Sequence, residues 1–139
     1  MGSVRRGIGF VIGMVAVLVI GLAVAAPAVA TTSTWSLNDI GQKFCVPQNG
    51  TKSYLLVQVS GTWTSTITYG VRNLPPGSSG TVGTIPPGSN DTSTINGFIG
   101  VTYAAAPVGD YHAEVWATDG DTTQTTPVLL RYGTGSACW

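Results

Sequence analysis

Residues 106–130 read APVGDYHAEVWATDGDTTQTTPVLL, and they decide the fold because they alternate with a two-residue period on both sides of a turn signal. Tyr111, Ala113, Val115 and Ala117 point one way, while His112, Glu114, Trp116 and Thr118 point the other. That is the pattern of a strand buried on one face. Asp119-Gly120 then suits a two-residue type I′ turn, which needs positive φ at both central positions. Val128, Leu130 and Tyr132 resume the buried set beyond it, so the expectation is a hairpin within an all-β protein.

Outward from the hairpin, short apolar runs recur between turn signals. Thr94 to Tyr103 supplies Ile95, Ile99, Val101 and Tyr103; Ser65 to Val71 supplies Ile67, Tyr69 and Val71 against a Thr-rich solvent face. Tyr54 to Val59 places Leu55, Val57 and Val59 on one side. Trp35 to Leu37 and Gln42 to Pro47 make a broken first strand holding Cys45, and Asn49-Gly50 turns the chain after it. Between Asn73 and Asp91 two Pro-Pro-Gly triplets, ending at Gly77 and Gly88, each predict a type II turn, with Thr81 to Ile85 a short edge strand between them. Pro127 inside the last run predicts an edge strand or a bulge. About seven short strands at roughly ten-residue spacing is the pattern of a two-sheet sandwich of the immunoglobulin type.

The first thirty residues are of another kind. Arg5 and Arg6 precede an uncharged run from Gly7 to Ala30 that ends Ala28-Val29-Ala30, the small-x-small pattern of a signal-peptidase site. The expectation is a signal peptide over 1–30, preceding a sandwich domain over 31–139 that is secreted. Ile8 to Ala26 is 19 apolar or Gly residues, close to the length that spans a bilayer. The alternative is therefore a retained anchor, and a membrane-anchored or filament subunit; the N-terminal mass of the mature protein separates the two.

After residue 30 four cations, Lys43, Lys52, Arg72 and Arg131, stand against six carboxylates, a formal balance of −2. Nucleic acid is not an expected partner, since phosphate backbones require a clustered basic face. Cys45 and Cys138 lie near the two ends of this region, and an even pair in an exported chain predicts a disulfide. No cofactor and no metal is expected. His112 is the only histidine, and neither zinc nor thiol catalysis has the ligands or base it needs.

The run from Ser65 to Tyr132 resembles the bacterial immunoglobulin-like and fibronectin-III-like modules of secreted proteins. The likeness rests on Leu74, Pro75 and Gly77 in the turn after the third strand, and on Pro107, Gly109 and Tyr111 leading into the sixth. Such modules serve as spacers, binding domains and wall-associated parts, so the resemblance implies a fold and little of function. Leu37 to Val46 and Trp63 to Gly77 also show a weaker likeness to small exported actinobacterial proteins of unknown function.

Two groups of residues are candidate sites. His112, Glu114 and Trp116 share the outward face of one strand at about 7 Å intervals, where an exposed Trp stacks on sugar rings or partner side chains; the plainer reading is a cross-strand pair covering the Trp. Asp110, Asp119 and Asp121 offer oxygens for calcium, but Asp110 and Asp119 fall at opposite ends of the strand, and Asp-Gly-Asp is foremost a hairpin turn. Trp35 and Trp63 read as core or rim packing and Trp139 as a cover for the disulfide. No nucleophile elbow, Ser-x-x-Lys or triad appears. The sequence therefore predicts a non-catalytic module, with wall glycan or another extracellular protein as partner and the Trp116 face as contact surface; the remaining alternative, an enzyme, needs a cleft lined by Glu114, His112 and a second carboxylate, which a flat sheet face there would remove.

Overall fold

The computed structural model describes residues 33–89 and 94–134. The expected leader and anchor, the second cysteine Cys138, and Trp139 lie outside the described residues.

Among the described residues there are nine strands and no helix: β1 (Trp35–Leu37), β2 (Gln42–Pro47), β3 (Thr51–Gly61), β4 (Ile67–Arg72), β5 (Ser79–Gly80), β6 (Gly83–Ile85), β7 (Thr94–Tyr103), β8 (Gly109–Thr118) and β9 (Thr123–Gly133). They form a four-stranded sheet in the order β1-β3-β7-β5 and a five-stranded sheet in the order β2-β9-β8-β4-β6. The count exceeds the expected seven for two reasons. The broken first strand is divided between the sheets, and the Pro-Pro-Gly region holds two very short strands where one was expected.

That division fixes the topology. β1 pairs antiparallel with β3 in one sheet, and after a connection in which Asn38 N–H donates to Gln58 O the chain crosses to the other sheet. There β2 runs parallel to β9 over six register pairs, from Gln42–Val128 to Pro47–Gly133. Two glutamines stitch the sheets where their edges meet. Gln42 on β2 exchanges hydrogen bonds with the backbone N–H and C=O of Leu56 on β3 (2.8 and 2.9 Å). Gln124 on β9 does the same for β1, accepting from Leu37 N–H and donating to Trp35 O, each at 2.9 Å. Edge backbone that would otherwise lack partners is thereby satisfied.

Alternation along the long strands builds the core. Leu55, Val57 and Val59 from β3 and Ile99 and Val101 from β7 meet Ala113, Val115 and Ala117 from β8 and Val128, Leu130 and Tyr132 from β9. Fully burying each large aliphatic side chain contributes about 1.5–3 kcal/mol. Trp35 and Trp63 are core residues as expected. Tyr69 on β4 shows how tightly the layers meet. A Cβ at Gly83 in its own sheet would come within 2.4 Å of its ring, and one at Gly97 in the opposite sheet within 2.7 Å, so only glycine admits the tyrosine at both places.

The hairpin differs from its sequence reading at the tip. β8 and β9 pair without interruption from Gly109–Tyr132 to Thr118–Thr123, which leaves a four-residue loop, Asp119 to Thr122, in place of a two-residue type I′ turn. Gly120 has φ 100°, but the only described non-glycine with positive φ is Asn73. The loop is held instead by Asp119, whose Oδ1 accepts from the backbone N–H groups of Asp121 (3.0 Å) and Thr122 (2.7 Å). Pro127 also departs from expectation: β9 is an interior strand with no break in its register. Pro127 sits one residue before pairing with β2 begins, so the part of β9 lacking a second neighbour ends there. The first Pro-Pro-Gly turn is as expected, with Ser78 N–H donating to Pro75 O at 3.0 Å and Gly77 at φ 82°. At the other end of β8 the Tyr111 hydroxyl donates to Pro107 O (3.1 Å) and its ring meets Tyr132 edge-on at 5.0 Å, the tyrosine corner of immunoglobulin-type sandwiches.

Candidate functional site

β8 carries His112, Glu114 and Trp116 on the outward face of the five-stranded sheet, since the intervening Ala113, Val115 and Ala117 are buried. The three share a face but do not form an open site. Trp116 is half-buried and stands opposite Gly70, where a Cβ would lie 2.8 Å from its indole. The ring therefore rests on bare backbone. Glu114 stands opposite Arg72 and accepts from its Nε at 2.8 Å. His112 is exposed, across from Leu129. One row further, Asp110 accepts from Arg131 at 2.7 Å, and that bond foremost holds its carboxyl below the ordinary value. Cys45 is exposed on β2 beside Arg131. The face is a packed, mutually paired surface.

The aspartates are likewise apart in function. Asp110 is the second residue of β8 and Asp119 follows its end. Besides the loop, Asp119 Oδ2 accepts from the Nε1–H of the buried Trp35 at 2.7 Å. Its carboxyl is held below the ordinary value, first by the Thr122 backbone bond and then by Trp35. Asp119 fastens the hairpin tip to β1.

The feature that sequence reading passed over lies on the other sheet. The outward positions of β3 are Lys52, Tyr54, Leu56, Gln58 and Ser60, because Leu55, Val57 and Val59 face the core. Tyr54 is 67% exposed, and Phe98 on β7, opposite Leu56, is 64% exposed. Diagonal neighbours of this kind lie about 7–8 Å apart. Tyr54 itself stands opposite Gly100. Beside that glycine is a hollow of about 200 Å³, lined by Lys52, Tyr54, Thr81, Gly100 and Thr102 among others. Thr81 forms its wall and is pinned to Gly100 twice, donating its N–H to Gly100 O and accepting Gly100 N–H at Oγ1, each at 2.9 Å. At the far end of the same face Asn38, Gln58 and Asn96 form a row of amides joined by hydrogen bonds of 3.3 Å, with the Ser60 hydroxyl donating to Asn38. The signal was present in the sequence: Tyr54, Leu56 and Phe98 fall in the solvent register, where the neighbouring positions are polar.

No curated protein matches this sequence. Among solved structures the chain is similar to WR4, a member of the MSP family of Caenorhabditis elegans, at 10% identity over 70% of this chain and 97% of that one, with TM-score 0.45. It is similar also to a PapD-like domain of human CEP192, at 11% identity over 84% and 98% of the two chains, TM-score 0.44. A third is the CupB2 chaperone of Pseudomonas aeruginosa, at 13% identity over 70% and 55%, TM-score 0.44. None of the three is named as a bacterial immunoglobulin-like or fibronectin-III-like module of the kind the sequence resembles. The sequence model of a family of unknown function, DUF5980, matches residues 36–134, β1 to the end of β9, and the chain belongs to that family.

Proposed function

We propose that this protein is a non-catalytic, immunoglobulin-like binding module that works outside the cytoplasm on cell-envelope or extracellular material. The observation that carries this reading is the outward face of the four-stranded sheet, where Tyr54 and Phe98 stand exposed beside a hollow and a row of amides. Exposed apolar side chains gathered on one face mark contact surfaces more often than isolated ones do. The Trp116 face fits the role less well, because Trp116 and Glu114 already have partners in Gly70 and Arg72.

Export rests on the leader sequence over 1–30, and a bridge between Cys45 and Cys138 is part of the same proposal. N-terminal mass beginning at Thr31 supports export with cleavage; a retained Ile8 to Ala26 makes the module membrane-anchored. The test of the contact surface is retention on isolated envelope sacculi. Tyr54→Ala with Phe98→Ala is expected to abolish retention, while Trp116→Ala leaves it unchanged. The reverse result would place the contact surface on the five-stranded sheet.

A further inference from the structure

We infer that the Tyr54–Phe98 face binds an acidic polysaccharide, with aromatic rings under sugar rings and Lys52 meeting a carboxylate of the glycan. The inference rests on the contact surface proposed above and names its ligand.

Charge is the first argument. Lys52 is the only charged residue on the four strands of this sheet, none of which carries Asp or Glu. On the five-stranded sheet, by contrast, Arg72 and Arg131 each meet a carboxylate. Lys52 has no ion-pair partner among the described residues. It lines the hollow with Tyr54, two residues along the same outward row of β3 and so about 7 Å away. The chain after residue 30 is net negative, so the bulk charge does not recruit an anion; a local, uncompensated cation does.

The second argument is the order of chemistry along the face. From Gln58 to Lys52 the outward row of β3 runs amide, aliphatic, aromatic, ammonium, spanning about 20 Å at the rise of a strand. A pyranose offers an apolar C–H face to an aromatic ring and hydroxyls around its rim. Here the rings are Tyr54 and Phe98, and the rim groups are the amides of Gln58 and Asn96 at one end and the hydroxyls of Thr81 and Thr102 at the other. The hollow is smaller than the roughly 300 Å³ at which pockets for drug-sized ligands begin. It suits one ring of a longer chain that continues across the sheet.

Composition argues against a second copy of this chain or another protein. Protein interfaces enrich Arg and Met along with aromatic residues and deplete Lys and Ser; this face has the aromatics Tyr54 and Phe98, but with Lys52 and Ser60 and no Arg or Met.

The test uses affinity electrophoresis of the full chain in gels containing polygalacturonate, alginate or hyaluronan, with methyl-esterified polygalacturonate and dextran as uncharged counterparts. Retardation by at least one uronate polymer, and tenfold weaker or absent retardation by the uncharged ones, is expected. Lys52→Gln should erase that preference, and the Tyr54→Ala, Phe98→Ala double variant should lose binding. Gly100→Val tests the hollow. Its φ is not positive, and the three atoms nearest an added Cβ, on Thr81 and Tyr54, lie at 3.6–3.7 Å, ordinary contact distance; the added side chain fills the floor, retardation is expected to fall at least tenfold, and an unchanged far-ultraviolet circular dichroism spectrum shows that the fold is kept. Free migration in all three uronate gels, equal binding of charged and uncharged polymers, or a dimer in sedimentation that the aromatic double variant dissolves, would overturn the inference. If sacculi are still retained through Tyr54 and Phe98 when uronates are not bound, the ligand assignment falls and the contact surface stands.

Discussion

Asp119 concentrates three hydrogen bonds on one carboxylate, two from its own loop and one from the buried Trp35 indole. Its folded-state pKa lies below the ordinary value, which is about 3.9 in an unfolded chain. Its contribution is therefore complete above that pH and is lost as pH falls through the folded value. Urea midpoints are expected to be level from neutral pH to about 5 and to fall below about 4. Asp119→Ala should lower stability at pH 7 by about 1–3 kcal/mol, since Trp35 Nε1–H loses its acceptor, and should flatten the acid limb. An unchanged limb would assign it to Asp110, held down by Arg131. Tyr103 is the opposite case. Its hydroxyl is buried without a partner among the described residues, and burial pushes its pKa up to about 12. Tyr103→Phe removes an unsatisfied group, so it is expected to be neutral or to stabilise by about 1 kcal/mol in denaturant unfolding. Neither role is visible in the sequence. Asp-Gly reads as a turn through backbone φ, and only the fold reveals that the side chain closes the loop.

At the level of strands, alternation was sufficient for the long elements and failed for the short ones. Leu55, Val57 and Val59, or Ala113, Val115 and Ala117, declare an inward face because the pleat has a period of two. β5, with two residues, and β6, with three, are too short to show a period, and the interior place of β9 depends on β2 arriving from the far end of the chain. The contact face was half legible: the register puts Tyr54 outward, but nothing local says that Phe98 and Gly100 come to lie beside it. Gly97, which looks like an interruption of β7, is explained by packing across the sheets, where an added Cβ would meet the Tyr69 ring. Gly97→Ala is expected to cost about 1–3 kcal/mol by overpacking against Tyr69. In a Tyr69→Leu background the cost should be smaller, and a double-mutant cycle measures the difference; strict additivity would show that the tyrosine is not what excludes a Cβ there.

For the whole molecule, the sandwich of the immunoglobulin type was legible from strand spacing and turn chemistry, while the division of the first strand between two sheets was legible only as a break. The proposed Cys45–Cys138 bridge would close a 93-residue loop, for which chain entropy gives about 4.6 kcal/mol. Denaturant unfolding with and without reductant should differ by up to that amount, and no difference would count against the bridge.

The parallel pairing of β2 with β9 also sets how the protein bears tension. A pull between the segment before β1 and the segment after β9 loads six register pairs side by side, so they must shear together rather than unzip in turn. With the sulfurs joined, force passes from residue 45 to residue 138, and of the sandwich only β1 and the first three residues of β2 stay in its path. Stretched singly, the oxidised chain should yield only the few residues outside the loop, and the reduced chain should hold at high force and then release its whole length at once.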